Sequence, residues 1–85
     1  MKMTRLISFA EFRQFLNGLG FSEKRAESAW VFNHPSEGLL VFRLYGVDEL
    51  VDDRDLRSTR KFLDMRGLLE GQEFDTFVQN ASTPA

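Results

Sequence analysis

Ala29 to Tyr45 reads AWVFNHPSEGLLVFRLY. Two apolar runs, Trp30–Phe32 and Leu39–Leu44, flank the polar turn Pro35-Ser36-Glu37-Gly38. Bulky β-branched and aromatic residues on both sides of a Pro/Gly turn predict a β-hairpin. Pro35 suits an early turn position because its φ is fixed, and Gly38 suits a left-handed exit because it has no Cβ. The rest of the chain is polar, helix-patterned or short, so this hairpin is expected to carry the sheet.

The size of the chain sets what surrounds the hairpin. Eighty-five residues make one domain, expected over residues 1–80 with 81–85 as a disordered tail. A domain this small buries only roughly 60–65% of its unfolded surface. Nine Phe, one Trp and one Tyr can supply the dense core it needs, so the aromatics require no ligand to explain them. The absence of cysteine excludes disulfides and thiolate metal sites. A net charge of −2 lacks the basic excess usual in nucleic-acid binders. MKMTRLIS is too short an apolar run for a signal peptide, and no stretch approaches the ~20 apolar residues of a membrane span. The expectation is a cytoplasmic protein with no membrane partner and no cofactor.

Upstream, Met1–Ile7 reads as a short lead-in. Ser8 and Glu11 have the spacing of a capping box, with Ile7 and Phe12 placed as a hydrophobic staple. Phe9, Phe12, Leu16 and Leu19 follow helical spacing, widened by Phe15. Gly20 suits the left-handed position after a helix, and Phe21 can fold back on the last turn. These signals predict a helix over Phe9–Leu19. Ser22–Ser28 is ambiguous, being polar enough for a loop or an edge strand. A weak outer strand over Phe21–Arg25 is preferred, because a lone hairpin is marginal in water; a short helix capped by Ser22 and running through Glu27 is the alternative. In the strand reading, Lys24 and Arg25 are edge charges that discourage pairing with other chains.

In the second apolar run, alternation sends Leu40, Phe42 and Leu44 to one face and Leu39, Val41, Arg43 and Tyr45 to the other. Both faces carry apolar residues, whereas a sheet covered on one side alternates more cleanly. Val31, Leu39 and Val41 are therefore candidates for contact with another chain, a second copy included. Downstream, Asp55 is placed to cap a helix over Leu56–Arg66. Its inward stripe is Leu56, Thr59, Phe62 and Leu63; Arg57, Arg60, Lys61 and Asp64 face out, and Gly67 stops it. A last helix over Gln72–Val78 offers Phe74, Phe77 and Val78. Gln79–Ala85 reads as a polar tail. The predicted class is α+β: a small α-β-β-β-α domain with an antiparallel three-stranded sheet and helices packed on one face.

This order resembles the HicA family of small toxins, whose fold is like the double-stranded-RNA-binding domain. The similarity runs from Phe9 to Val78. It rests on Phe12-x-x-Phe15-Leu16-x-x-Leu19-Gly20-Phe21, on Arg25 through Ser28, and on Val31-Phe32-x-His34-Pro35 with Val41. It continues through Asp55-Leu56-Arg57-x-x-x-x-Phe62-Leu63 to Glu73-Phe74. The resemblance implies RNA cleavage by a histidine in a Gly-Ser-His motif leading into the middle strand. Here the matching residues are Glu27, Ser28 and Ala29. The family's Pro-x-His at the end of the third strand is matched by Leu44, Tyr45 and Gly46. Both histidines are replaced, and cleavage through a 2′-hydroxyl needs a general base that alanine cannot be.

The remaining candidates are few. His34 is the only histidine and lacks an evident nucleophile or second base. Glu27 and Ser28 read as surface residues, Ser28 having no base to activate it. No Cys and no His pair leave no transition-metal set. Asp48-Glu49 with Asp52-Asp53 lacks the glycine and distal glutamate of a calcium loop. Lys24, Arg25, Arg43, Arg54, Arg57 and Lys61 are the candidate phosphate-facing cations, to be weighed against a merely solvated face balanced by neighbouring acids. The expected function is a non-catalytic binding domain. Its partner is a second copy, an antitoxin-like protein or RNA. The alternative is an RNA-cleaving toxin of a type II toxin–antitoxin system.

Overall fold

The structure, a computed structural model, describes residues 7–81. Met1–Leu6 of the expected lead-in and residues 82–85 of the expected tail lie outside the described residues. The chain runs α1 (Phe9–Gly18), β1 (Ser22–Arg25), β2 (Ala29–His34), β3 (Gly38–Arg43), α2 (Asp53–Met65) and α3 (Gly71–Ala81). The strands form one antiparallel sheet in the order β1-β2-β3. This is the expected α+β class.

Helix α1 starts and stops where local chemistry predicts. The Ser8 hydroxyl accepts from the Glu11 amide at 3.3 Å and donates to the Glu11 carboxylate at 3.4 Å, satisfying one of the amides that a helix start leaves open. At the other end Gly20 adopts φ +103°. Its amide reaches Asn17 O at 3.1 Å and the Phe21 amide reaches Leu16 O at 3.2 Å, the paired bonds of a Schellman close. Gly67 repeats the device after α2, with φ +72° and the Leu68 amide on Leu63 O at 3.0 Å.

The core lies between the sheet and the helices. Phe9, Phe12 and Leu16 of α1, Phe32 of β2, Leu40 and Phe42 of β3, Leu56 and Leu63 of α2, and Phe74 and Val78 of α3 are all buried in it. Each such side chain contributes roughly 1.5–3 kcal/mol through burial. Phe12 packs edge-on to Phe42 at 5.3 Å and Phe9 to Phe32 at 6.1 Å, which fixes α1 on the sheet. Phe15 stacks on Phe77 at 3.7 Å and ties α3 to α1. Trp30 is partly buried, with its indole Nε1 donating to the Tyr45 carbonyl at 3.1 Å and its ring 5.4 Å from Phe9. Arg66 donates from Nη1 to Glu37 O at 2.7 Å, so the end of α2 holds the hairpin turn.

The preferred strand over Phe21–Arg25 is present, and three other expectations change. Ser22–Arg25 is a strand, which settles the ambiguous segment against a helix. It is held from behind by α1: Glu23 lies beside Phe32 on the core-facing side and is ion-paired with Arg13, and Asn17 Nδ2 donates to it at 2.9 Å. Helix α2 begins earlier than expected, with Asp52 at the N-cap and no side-chain capping bond; Asp55 lies inside the first turn and binds Tyr45 instead. Tyr45 is buried rather than on the outer face. β3 ends at Arg43, and the Tyr45 amide bonds Arg43 O at 2.8 Å in a three-residue turn that breaks the alternation. Finally, α3 continues through Gln79, Asn80 and Ala81, read from sequence as tail.

Candidate functional site

The register decides which residues share the sheet's outer face. Trp30↔Phe42 and Phe32↔Leu40 point into the core, so Ala29↔Arg43, Val31↔Val41 and Asn33↔Leu39 point away from it. β1 adds Lys24 beside Val31 and Ser22 beside Asn33. The three residues expected at an interface are thus brought together. Val31 and Val41 are directly paired and Leu39 is two positions along β3. Leu39 is 53% exposed and Val41 56%, large values for strand residues of this kind.

The six candidate cations are not gathered into one patch. Lys24 and Arg43 are on the outer face, whereas Arg25 pairs with Trp30 and so shares the core-facing side of the β1 edge. Arg54, Arg57 and Lys61 are exposed on α2. Arg43 is neutralised by Glu49 at 2.7 Å and Asp52 at 3.4 Å, and its guanidinium covers the Tyr45 ring at 3.9 Å. That carboxylate pairing raises the Arg43 pKa, and the Gly46 amide together with Arg43 holds Glu49 below the usual carboxylate range. Arg57 pairs with Asp53 at 3.3 Å. Lys24, Arg25, Arg54 and Lys61 make no ion pair among the described residues.

One open concavity of about 420 Å³ lies between the two regions. Val41, Phe42 and Arg43 of β3 form one side, and Asp52, Arg54 and Asp55 at the start of α2 form the other. Sequence spacing gave no signal that Asp52 and Asp55 would stand against β3, because their position depends on the turn at Tyr45. Tyr45 holds the α2 side of the site in place. Its hydroxyl donates to Asp55 and accepts from the Asp52 amide, and burial, aided by the Asp55 bond, pushes its pKa well up.

The positions where the resemblance implies catalysis hold no acid–base pair. Ala29 sits in β2 opposite Arg43, and Glu27 and Ser28 are exposed in the β1–β2 connection. His34, the remaining imidazole, turns back on its own hairpin. Its Nδ1 accepts from the Ser36 amide at 3.2 Å, and its ring stands edge-on to Phe21 at 5.2 Å. The Ser36 hydroxyl is 3.3 Å from that same nitrogen, a neighbour the sequence reading did not assign. It also donates to Glu37 at 3.2 Å. This triplet tightens the turn, and none of the three lines the concavity beside β3. Among the described residues no group of three or more His, Cys, Asp or Glu can hold a metal ion, and no helix is long and apolar enough to cross a membrane. No family model, curated protein or solved structure matches the chain.

Proposed function

We propose that this chain is a non-catalytic member of the HicA-like group that works by holding a partner protein on its sheet. The observation that carries the reading is the outer face: Val31, Leu39 and Val41 are contiguous there, and the position matching the family's imidazole is Ala29 on that same face. A contiguous apolar patch rimmed by Lys24, Asn33 and Arg43 has the composition of an interface core with a polar rim. RNA is the less favoured partner, because Arg43 and Arg57 are already paired with carboxylates and the net charge is −2.

The alternative, an RNA-cleaving toxin, is tested by incubating the purified chain with single-stranded RNA beside His34→Ala. The expected result is intact RNA with both proteins. Cleavage that disappears in His34→Ala overturns the binding-only reading. Salt-dependent RNA binding that weakens in Arg57→Ala and Lys61→Ala replaces the protein partner with RNA.

A further inference from the structure

The two margins of the sheet are built differently. β1 is four residues long, carries Glu23, Lys24 and Arg25, and is tied down by α1 through the Arg13–Glu23 pair. Those are the features by which a sheet edge resists pairing with another chain. β3 forms the opposite margin. It is six residues long, Gly38-Leu39-Leu40-Val41-Phe42-Arg43, with one charge and no proline. It pairs with β2 on one side, and no strand lies on its other side among the described residues. The concavity of about 420 Å³ leaves room along Val41, Phe42 and Arg43.

We infer that the free margin of β3 pairs antiparallel with β3 of a second copy of this chain, with Val41 facing Val41 across a two-fold axis. A second copy fits as the occupant because the strand is self-complementary about Val41, and the placement of charge selects the direction. A parallel second copy in register sets Arg43 against Arg43, a destabilising like-charge pair. Antiparallel pairing about Val41 sets each Arg43 against the other copy's Leu39, whose exposed side chain covers the arginine's aliphatic stem. Leu40 and Phe42 fall opposite one another on the core side, so in-to-in and out-to-out alternation is kept across the junction. The concavity beside Arg43 then receives Gly38 and Leu39 of the second copy, the least bulky end of the strand. The product is a six-stranded sheet in which the two apolar outer patches merge into one. Strand pairing over six residues is small against the roughly 1,200 Å² of a standard stable interface, so association rises with concentration. This goes beyond the proposed outer-face partner, since the second copy meets the margin of β3 and leaves Val31, Leu39 and Val41 open on the merged face. Its test is independent of the RNA assay, so either can fail alone.

The chain has no native cysteine, so a single one reports cleanly. Across an antiparallel strand pair, opposed residues have Cβ atoms about 4.5–5.5 Å apart, close to disulfide geometry. Val31, one strand further in, lies about 14 Å from its counterpart at a strand spacing of about 4.8 Å and cannot be bridged. The expected result under mild oxidation is a disulfide-linked dimer with Val41→Cys and a monomer with Val31→Cys. Light scattering on the wild type shows a mass rising with concentration toward twice 9.9 kDa. Val41→Lys and Val41→Glu are each monomeric and recover the doubled mass when mixed. Equal cross-linking of Val31→Cys and Val41→Cys, which face-to-face stacking of two sheets would produce, overturns the inference. So does a wild-type mass that stays monomeric up to the solubility limit, or a Lys/Glu mixture that fails to associate.

Discussion

The Tyr45 hydroxyl donates a 2.5 Å hydrogen bond to Asp55 Oδ2, joining the end of the sheet to the first turn of α2. The same oxygen accepts from the Asp52 amide at 2.9 Å, while the ring stacks on Phe9 at 5.2 Å and lies under Arg43. Tyr45→Phe keeps the ring and removes both hydrogen bonds. The expected cost is about 1–3 kcal/mol, read by urea denaturation, because a part-buried carboxylate and an amide lose their partner.

The same pair predicts an alkaline limb. Burial and Asp55 raise the folded-state pKa of Tyr45 above its unfolded value. The neutral phenol therefore favours the fold, a contribution complete below about pH 10 and lost as pH rises through the folded-state value. Stability falls more steeply above that pH in the wild type than in Tyr45→Phe. Equal slopes would mean that the hydroxyl is not held as described.

At the acid end, Glu23 supplies the opposite sign. The Arg13 hydrogen bonds hold its pKa below the ordinary value, so its contribution is complete above about pH 4.3 and lost as pH falls through the folded-state value. Glu23→Gln is expected to flatten part of the acid limb. It is also expected to speed amide exchange in Ser22–Arg25 ahead of the other strands, since it releases the main tie of β1 to α1.

Two glycines close together give opposite outcomes. Gly18 is helical with open space where a Cβ would go, so Gly18→Ala gains up to about 1 kcal/mol. Gly20 has φ +103° and a Cβ there would meet His34 Nε2 at 3.3 Å. Gly20→Ala is expected to cost about 1–3 kcal/mol. Thermal midpoints that move in the same direction would contradict the Schellman close.

Thr59 is fully buried, and its hydroxyl has no hydrogen-bond partner among the described residues. Thr59→Val keeps the shape and removes the unpaired polar atom. Stability is expected to rise by about 1 kcal/mol or more, checked by chemical denaturation; a loss of that size would place a partner at the hydroxyl.

How much of this was legible follows from where the information lies. The hairpin turn, the Ser8–Glu11 box and the glycine stops at Gly20 and Gly67 are decided by residues within five positions of one another. The sequence shows them directly. β1 was ambiguous because its tie, Arg13 to Glu23, comes from another element, and its own residues favour a loop equally well. Tyr45 was assigned to the wrong face because alternation holds only while the strand lasts, and β3 stops two residues earlier. That Val31, Leu39 and Val41 share one face was readable, since they obey the period of two. The distribution of the six cations was not, since helical spacing places Arg54, Arg57 and Lys61 on α2 but does not say that Asp53 pairs with Arg57 or that Glu49 and Asp52 pair with Arg43.

The indole of Trp30 lies in the strand next to β3, bonded to the Tyr45 carbonyl, with Arg13 5.0 Å over its ring. It is the chain's only tryptophan, so the molecule carries an intrinsic fluorophore wired to the tie between α1, the sheet and the entry to α2. Its emission will register the release of that knot, whereas events confined to the surface, including the proposed meeting of two copies, will leave its colour nearly constant. Melting and assembly can thus be followed in one cuvette by spectral shift and by light scattered, without attaching a dye.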